Sequence, residues 1–195
     1  MEWGAYLGDE GKQRGVRAKV SSWRRIPSDA LIPTAKAGGQ YLNSVLAKIE
    51  ADKAGYEEAI LLDSRGYVCE GTGENLFLVK DGVLLTPALA HSVLGGLTRD
   101  SVMRLARERG IEVKECAIPR ELLYIADEAF FTGTAVEITP VRSVDRLNIG
   151  SGKRGPITET LQKAFFGLFT GKTQDKWGWL DYVDMSAAPR AAASG

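Results

Sequence analysis

Two cysteines, one histidine and no surplus of either charge are the first scarcities of this 195-residue sequence. Cys69 and Cys116 are too few for a disulfide framework, and neither stands in the clustered Cys and His spacing that a zinc site needs. The chain reads as metal-free and cytosolic. Its 25 basic and 25 acidic side chains cancel, so no long-range field exists to hold a nucleic-acid backbone or an anionic membrane. No apolar run approaches the roughly 18 residues of a membrane span, and Met1-Glu2-Trp3-Gly4 lacks the basic and apolar regions of a signal peptide. Gly38-Gly39 is not followed by the Gly-Lys-Ser or Gly-Lys-Thr of a nucleotide-hydrolysing loop. His91 has no serine or cysteine nucleophile motif around it and reads as a solvated loop residue. Large apolar side chains are also missing from Ser186 to Gly195, so residues 184–195 are expected to form a disordered tail.

What is present is one domain's worth of short β-type runs interleaved with a few helical ones, without a fixed-period repeat. Val16, Ala18 and Val20 alternate on one face of a strand from Gly15 to Trp23. Leu42, Val45, Leu46 and Ile49 recur at helical spacing between Tyr41 and Ala54, and Gly55 supplies the stop. Asp63-Ser64-Arg65-Gly66 and Lys80-Asp81-Gly82 each separate two apolar runs and predict hairpins. Thr98 is placed to cap a helix reaching Arg109. A strand from Ile111 to Cys116 should follow, then a short helix from Pro119 to Leu123. Glu128 to Phe131 and Glu137 to Val144 read as extended, and Pro156 to Phe169 as the last helix. Arg24-Arg25 reads as a solvated turn before Pro27, and Trp177 and Trp179 as aromatics docking the C-terminal segment on the core. Hairpins beside helix-joined strands favour an α+β, mixed α/β fold with a mixed sheet or pseudo-barrel.

The candidate chemistry lies in the turns. Lys36 sits among small residues in Pro33-Thr34-Ala35-Lys36-Ala37-Gly38-Gly39-Gln40-Tyr41. To attack an aldehyde its amine must be uncharged, which calls for desolvation or a nearby positive charge. Glu70 stands beside the glycine turn Gly71-Thr72-Gly73, where a buried carboxylate can hold a proton on a pyridine nitrogen. Gly95-Gly96-Leu97-Thr98 leads into a helix whose free N–H groups suit a phosphate dianion, and Gly133-Thr134-Ala135 offers a second set of donors. An amine, a carboxylate, a phenol and phosphate donors are together the parts of a pyridoxal phosphate site.

In order and joint composition these segments, with Glu70-Gly71-Thr72-Gly73-Glu74-Asn75-Leu76-Phe77 and Thr132-Gly133-Thr134-Ala135-Val136-Glu137-Ile138-Thr139-Pro140-Val141, closely resemble the class IV, fold type IV, pyridoxal phosphate enzymes. The likeness runs from about residue 3 to residue 183, and Trp3-Gly4-Ala5-Tyr6-Leu7-Gly8, Phe165-Phe166-Gly167-Leu168-Phe169 and Trp177-Gly178-Trp179-Leu180 resemble branched-chain amino acid aminotransferases in particular. The resemblance implies the D-amino acid aminotransferase-like fold, with residues 1–183 as its large cofactor-binding domain. It further implies that Lys36 forms the Schiff base and shuttles the proton, Tyr41 bonds the ring hydroxyl, and Glu70 pairs with the pyridine nitrogen. Leu97, Thr98 and Thr134 would hold the phosphate, and Gly133, Thr134 and Ala135 the substrate carboxylate.

The implied reaction moves an amino group from leucine, isoleucine or valine to 2-oxoglutarate, in an oligomer that is at least a dimer. Family members carry a smaller N-terminal domain that supplies an arginine to the phosphate and one wall of the pocket, and the chain is expected to begin after it. Losing one such charge-assisted bond costs about 1.5–3 kcal/mol, so the polypeptide alone is expected to bind cofactor weakly and turn over poorly. The alternatives are an inactive fragment or dimerisation module, or a D-amino acid aminotransferase or aminodeoxychorismate lyase of the same fold. The Trp3 and Trp177 flanks argue against the last two.

Overall fold

The computed structural model describes residues 9–183. The segment Trp3 to Gly8 that carries part of the resemblance, and the tail expected at 184–195, lie outside the described residues. In chain order the elements are α1 (Asp9–Arg14), β1 (Val16–Arg24), α2 (Tyr41–Lys53), β2 (Glu58–Leu62), β3 (Asn75–Lys80), β4 (Val83–Pro87), α3 (Leu97–Glu108), β5 (Val113–Cys116), α4 (Leu122–Ile125), β6 (Glu128–Gly133), β7 (Glu137–Val144), β8 (Leu147–Asn148) and α5 (Pro156–Phe169). The strands form one sheet in the order β2-β1-β7-β6-β3-β4-β5, with β8 beside β7. β1 runs parallel to β2 and β7, and β4 parallel to β5. The β3–β4, β3–β6 and β6–β7 pairs are antiparallel.

The mixed sheet curls towards closure. The Cys69 N–H donates to Leu61 on β2, and the Val68 N–H donates to Ile118 just past β5, so residues 67–70 join the two ends of the strand order. This is the expected pseudo-barrel, and strand alternation fills it. Val16, Ala18 and Val20 of β1, Ile60 and Leu62 of β2, Leu76 and Leu78 of β3 and Phe131 of β6 share one buried cluster. Their sequence neighbours point the other way. Phe77, Val79 and Phe130 pack with Val102, Leu105 and Leu161 of α3 and α5, and Ala59 and Leu61 pack with Ala47 and Ala51 of α2. Because both faces are covered, the strands read as near-continuous apolar runs.

Several predicted elements need correction. The predicted apolar stripe of α2 does not face the sheet: Leu42, Val45 and Ile49 are exposed, Leu42 at 68%, and Ser44, Ala47 and Ala51 are buried instead. Small side chains let the helix approach β2 closely, so its larger residues are turned outward. The segment 67–69 pairs through single bridges rather than a regular strand. At the β3–β4 turn Asp81 and Gly82 both take positive φ, 50° and 77°, the geometry that a two-residue hairpin demands. Helix α3 starts at Leu97 behind Gly96, with no side-chain cap, so Thr98 is its second residue and not its cap. Trp177 stacks on Trp179 at 4.4 Å between centroids, and both pack against the α3 and α5 core as expected. No helix of the described residues is long and apolar enough to cross a membrane.

Candidate active site

The loop after β1 folds over the end of the sheet and brings three predicted residues together. Gln40 is buried and donates from Nε2 to the carbonyls of Ile32 and Ala35 at 2.6 and 3.1 Å, which fixes the loop carrying Lys36. Asn43 on α2 donates to the Arg24 carbonyl at 2.9 Å and anchors its other end. Lys36, Tyr41 and Glu70 then line one narrow recess of about 40 Å³. Lys36 and Tyr41 also line an adjoining cleft of about 630 Å³ with Thr134 and Ala135. Gly73 lines both, and a Cβ built on it would project into open space.

Glu70 is the most constrained member. Its Oε2 accepts from the Leu94 N–H at 3.0 Å and from Asn75 Nδ2 at 3.2 Å, and Arg25 Nε lies 2.8 Å from Oε1. Burial pushes this carboxyl up from its ordinary value; the Arg25 charge, and then the Leu94 N–H, oppose that rise without cancelling it. Arg25 corrects the sequence reading: the expected solvated turn is 7% exposed. The pairing of β1 with β2 shifts register between Val20 and Arg24, and the Arg25 N–H then donates to the Leu62 carbonyl, which turns the side chain inward. No local signal in Arg24-Arg25-Ile26-Pro27 encodes this, because the partner carboxylate arrives from the distant segment between β2 and β3.

Lys36 departs from expectation in one respect. It is exposed, so the described residues do not supply the desolvation that the chemistry asks for. The reason is geometric: the loop carrying Lys36 borders a cleft that lies open on one side.

Two further carboxylates are buried nearby, Glu58 and Glu74, and Glu74 itself lines both the recess and the cleft. Glu58 Oε1 accepts from Thr72 Oγ1 at 2.7 Å and from the Ala59 N–H at 2.7 Å, and Glu74 Oε2 accepts from the Gly73 N–H at 2.9 Å. Burial and the neighbouring Glu58 push Glu74 up to about 8.

Leu97 and Thr98 lie outside the lining of both cavities and open α3, Leu97 exposed and Thr98 half-buried. Their N–H groups belong to the first helical turn and so have no intrahelical acceptor. Asn75 links this turn to Glu70 by donating to the Leu94 carbonyl at 2.8 Å. His91 also corrects expectation. It is buried, with Nδ1 3.2 Å from Asp63 Oδ2 and its ring 5.5 Å from that of Tyr67, and it fixes the start of the segment leading to α3. Gly133 ends β6 opposite Glu137, and Thr134 and Ala135 are exposed at the tip beyond it.

Residues 3–144 match the family described as Amino-transferase class IV. Over 182 residues the chain is 58% identical to a branched-chain-amino-acid aminotransferase of Escherichia coli (strain K12), covering 93% of this chain and 59% of that protein. The crystal structure of the Escherichia coli branched-chain amino acid aminotransferase superposes with a TM-score of 0.93 at 57% identity, over 94% of this chain and 60% of that one. The branched-chain amino acid aminotransferase of Thermobaculum terrenum, solved in its PLP form, gives a TM-score of 0.79 at 44% identity over 80% of this chain and 52% of that one. The chain spans about three-fifths of the length of the Escherichia coli relatives it matches.

Proposed function

The chain belongs to the class IV aminotransferases, and from that premise we propose that residues 1–183 form the pyridoxal phosphate-binding domain of a branched-chain amino acid transaminase. The observation that carries this reading is the recess shared by Lys36, Tyr41 and Glu70. The residues fit the cofactor: Glu70 presents a carboxylate bonded only by donors, and Gly73 leaves open the space that a side chain would fill.

When bound, pyridoxal phosphate supplies the electron sink for exchanging an amine with a ketone. The Lys36 amine holds the cofactor and then moves a proton at the substrate α-carbon. Tyr41 orients the ring through its oxygen, and Glu70 holds a proton on the ring nitrogen. The Leu97 and Thr98 N–H groups, the Thr98 hydroxyl and Thr134 bind the phosphate at the positive end of α3. The backbone of Gly133, Thr134 and Ala135 takes the substrate carboxylate. The cleft is walled in part by Val45 and Val136, apolar side chains that suit an aliphatic substrate.

The same reading makes the active protein a homo-oligomer, at least a dimer, of the cytoplasm. Two cysteines free of any disulfide suit a reducing compartment. The test is a single-turnover half-reaction followed by cofactor absorption. Leucine, isoleucine or valine should change the spectrum of the cofactor-loaded protein; a response to D-alanine with none to leucine would contradict the assignment.

A further inference from the structure

The ion pair between Arg25 and Glu70 is the most buried pair of opposite charges beside the site, with side chains 8% and 7% exposed. Burying two charges is costly, and surrounding structure must hold them in place. Here the backbone helps: the Arg25 N–H donates to Leu62, which fixes the base of its side chain, and the Leu94 N–H donates to Glu70 Oε2, which holds the carboxylate itself. The Arg25 Nε–H makes no hydrogen bond of good angle, although it lies 2.8 Å from Glu70 Oε1, so the contact acts through charge first. Every partner on the two carboxylate oxygens is a donor: Leu94 N–H and Asn75 Nδ2 on one, the guanidinium on the other. A protonated carboxyl would have to aim its own proton at one of them.

We propose that Arg25 is a positioning residue that keeps Glu70 ionised in its dry recess, and thereby keeps the one proton between Glu70 and a bound pyridine ring on the ring nitrogen.

The second half of this statement rests on the function proposed above; the first half does not. The balance is simple. With Arg25 present, the anionic carboxylate faces a cation and the proton stays on nitrogen. Without it, the proton is better placed on Glu70 oxygen, the ring is left neutral, and no other bond changes. The other charged and titratable groups around Glu70 are Arg99 of α3, which also favours the anion, Lys36 and the Tyr41 phenol, which share the recess, and Glu74 and Cys69, both of which its charge pushes up. Among the causes acting on Glu70, the charge of Arg25 is the largest opposed to burial.

Infrared difference spectroscopy of the cofactor-free full chain tests this at neutral pH. Arg25→Met should gain one carboxylic acid band that disappears in Arg25→Met/Glu70→Gln, and Arg25→Lys, which keeps the charge, should not gain it. Arg25→Gln serves as the second variant if Arg25→Met does not fold. A Glu70 that stays ionised in the charge-free variant overturns the proposal, as does an acid band from Glu70 in the parent. In the cofactor-loaded protein, ¹⁵N-labelled pyridoxal phosphate should report loss of the ring-nitrogen proton in Arg25→Met and its recovery in Arg25→Lys. If the carboxyl responds as stated but cofactor never attaches, the functional reading fails and the role of Arg25 in Glu70 ionisation stands. If cofactor attaches and the carboxyl does not respond, the inference about Arg25 fails alone.

Discussion

Asn75 Nδ2 spans two acceptors, Glu70 Oε2 at 3.2 Å and the Leu94 carbonyl at 2.8 Å, and so ties the floor of the recess to the segment that opens α3. Its other amide atom leaves no room on that segment: a Cβ at Gly96 would stand 2.1 Å from Asn75 Oδ1. Gly96→Ala should therefore displace Asn75 and cost about 1–3 kcal/mol. Urea unfolding reads the loss, and calorimetry should show weaker pyridoxal phosphate binding. A variant as stable and as tightly binding as the parent would show that the link is dispensable.

Removing one member of the Arg25–Glu70 pair should not cost the same on each side. Glu70→Gln leaves the buried guanidinium without its counter-charge and should cost about 3–5 kcal/mol. The double variant Arg25→Met/Glu70→Gln should recover most of that. Equilibrium denaturation of the four proteins of the cycle measures the coupling, and additive losses would mean that the pair contributes nothing as a pair.

The outward stripe of α2 predicts unequal responses along one helix. Leu42→Ser and Val45→Ser should each shift stability by no more than about 0.5 kcal/mol. Ala47→Leu, pressed against Ala59 and Leu61, should cost about 1–3 kcal/mol by overpacking. Thermal melts distinguish them, and a large loss at Leu42 would place the stripe against the core after all.

Two carboxyls predict opposite pH dependence. Glu74 is raised, so its contribution to stability is full below the ordinary value of 4.5 and is lost as pH rises through about 8. Glu50 is desolvated, yet Lys19 and Ser21 hold it down to about 2, so its contribution is present above 4.5 and is lost as pH falls through about 2. Glu74→Gln should flatten the alkaline decline and Glu50→Gln the acid one. Denaturation midpoints between about pH 2 and about pH 9 check both slopes.

Local patterning made much of the fold readable. The helix read from Pro156 to Phe169 and the strand read from Glu137 to Val144 coincide with the observed α5 and β7. The loop of Lys36 and the turns at Gly71 and Gly96 stood out through their order and their resemblance to the class IV enzymes, since spacing alone leaves Lys36 one loop lysine among many. Arg25 and His91 were not legible, because each is buried by a partner, Glu70 or Asp63, that only the folded sheet brings close. The face of α2 was misread for a related reason. Periodicity reveals that a helix has an apolar side, but the element that approaches closest selects small residues instead.

The central claim is that Lys36 is the amine that holds the cofactor. Full chain incubated with pyridoxal phosphate, fixed with borohydride and digested should yield a single phosphopyridoxyl label at residue 36. Lys36→Ala should lose the label while melting close to the parent, since the side chain is exposed. A label on any other lysine, or one that survives Lys36→Ala, would contradict the account.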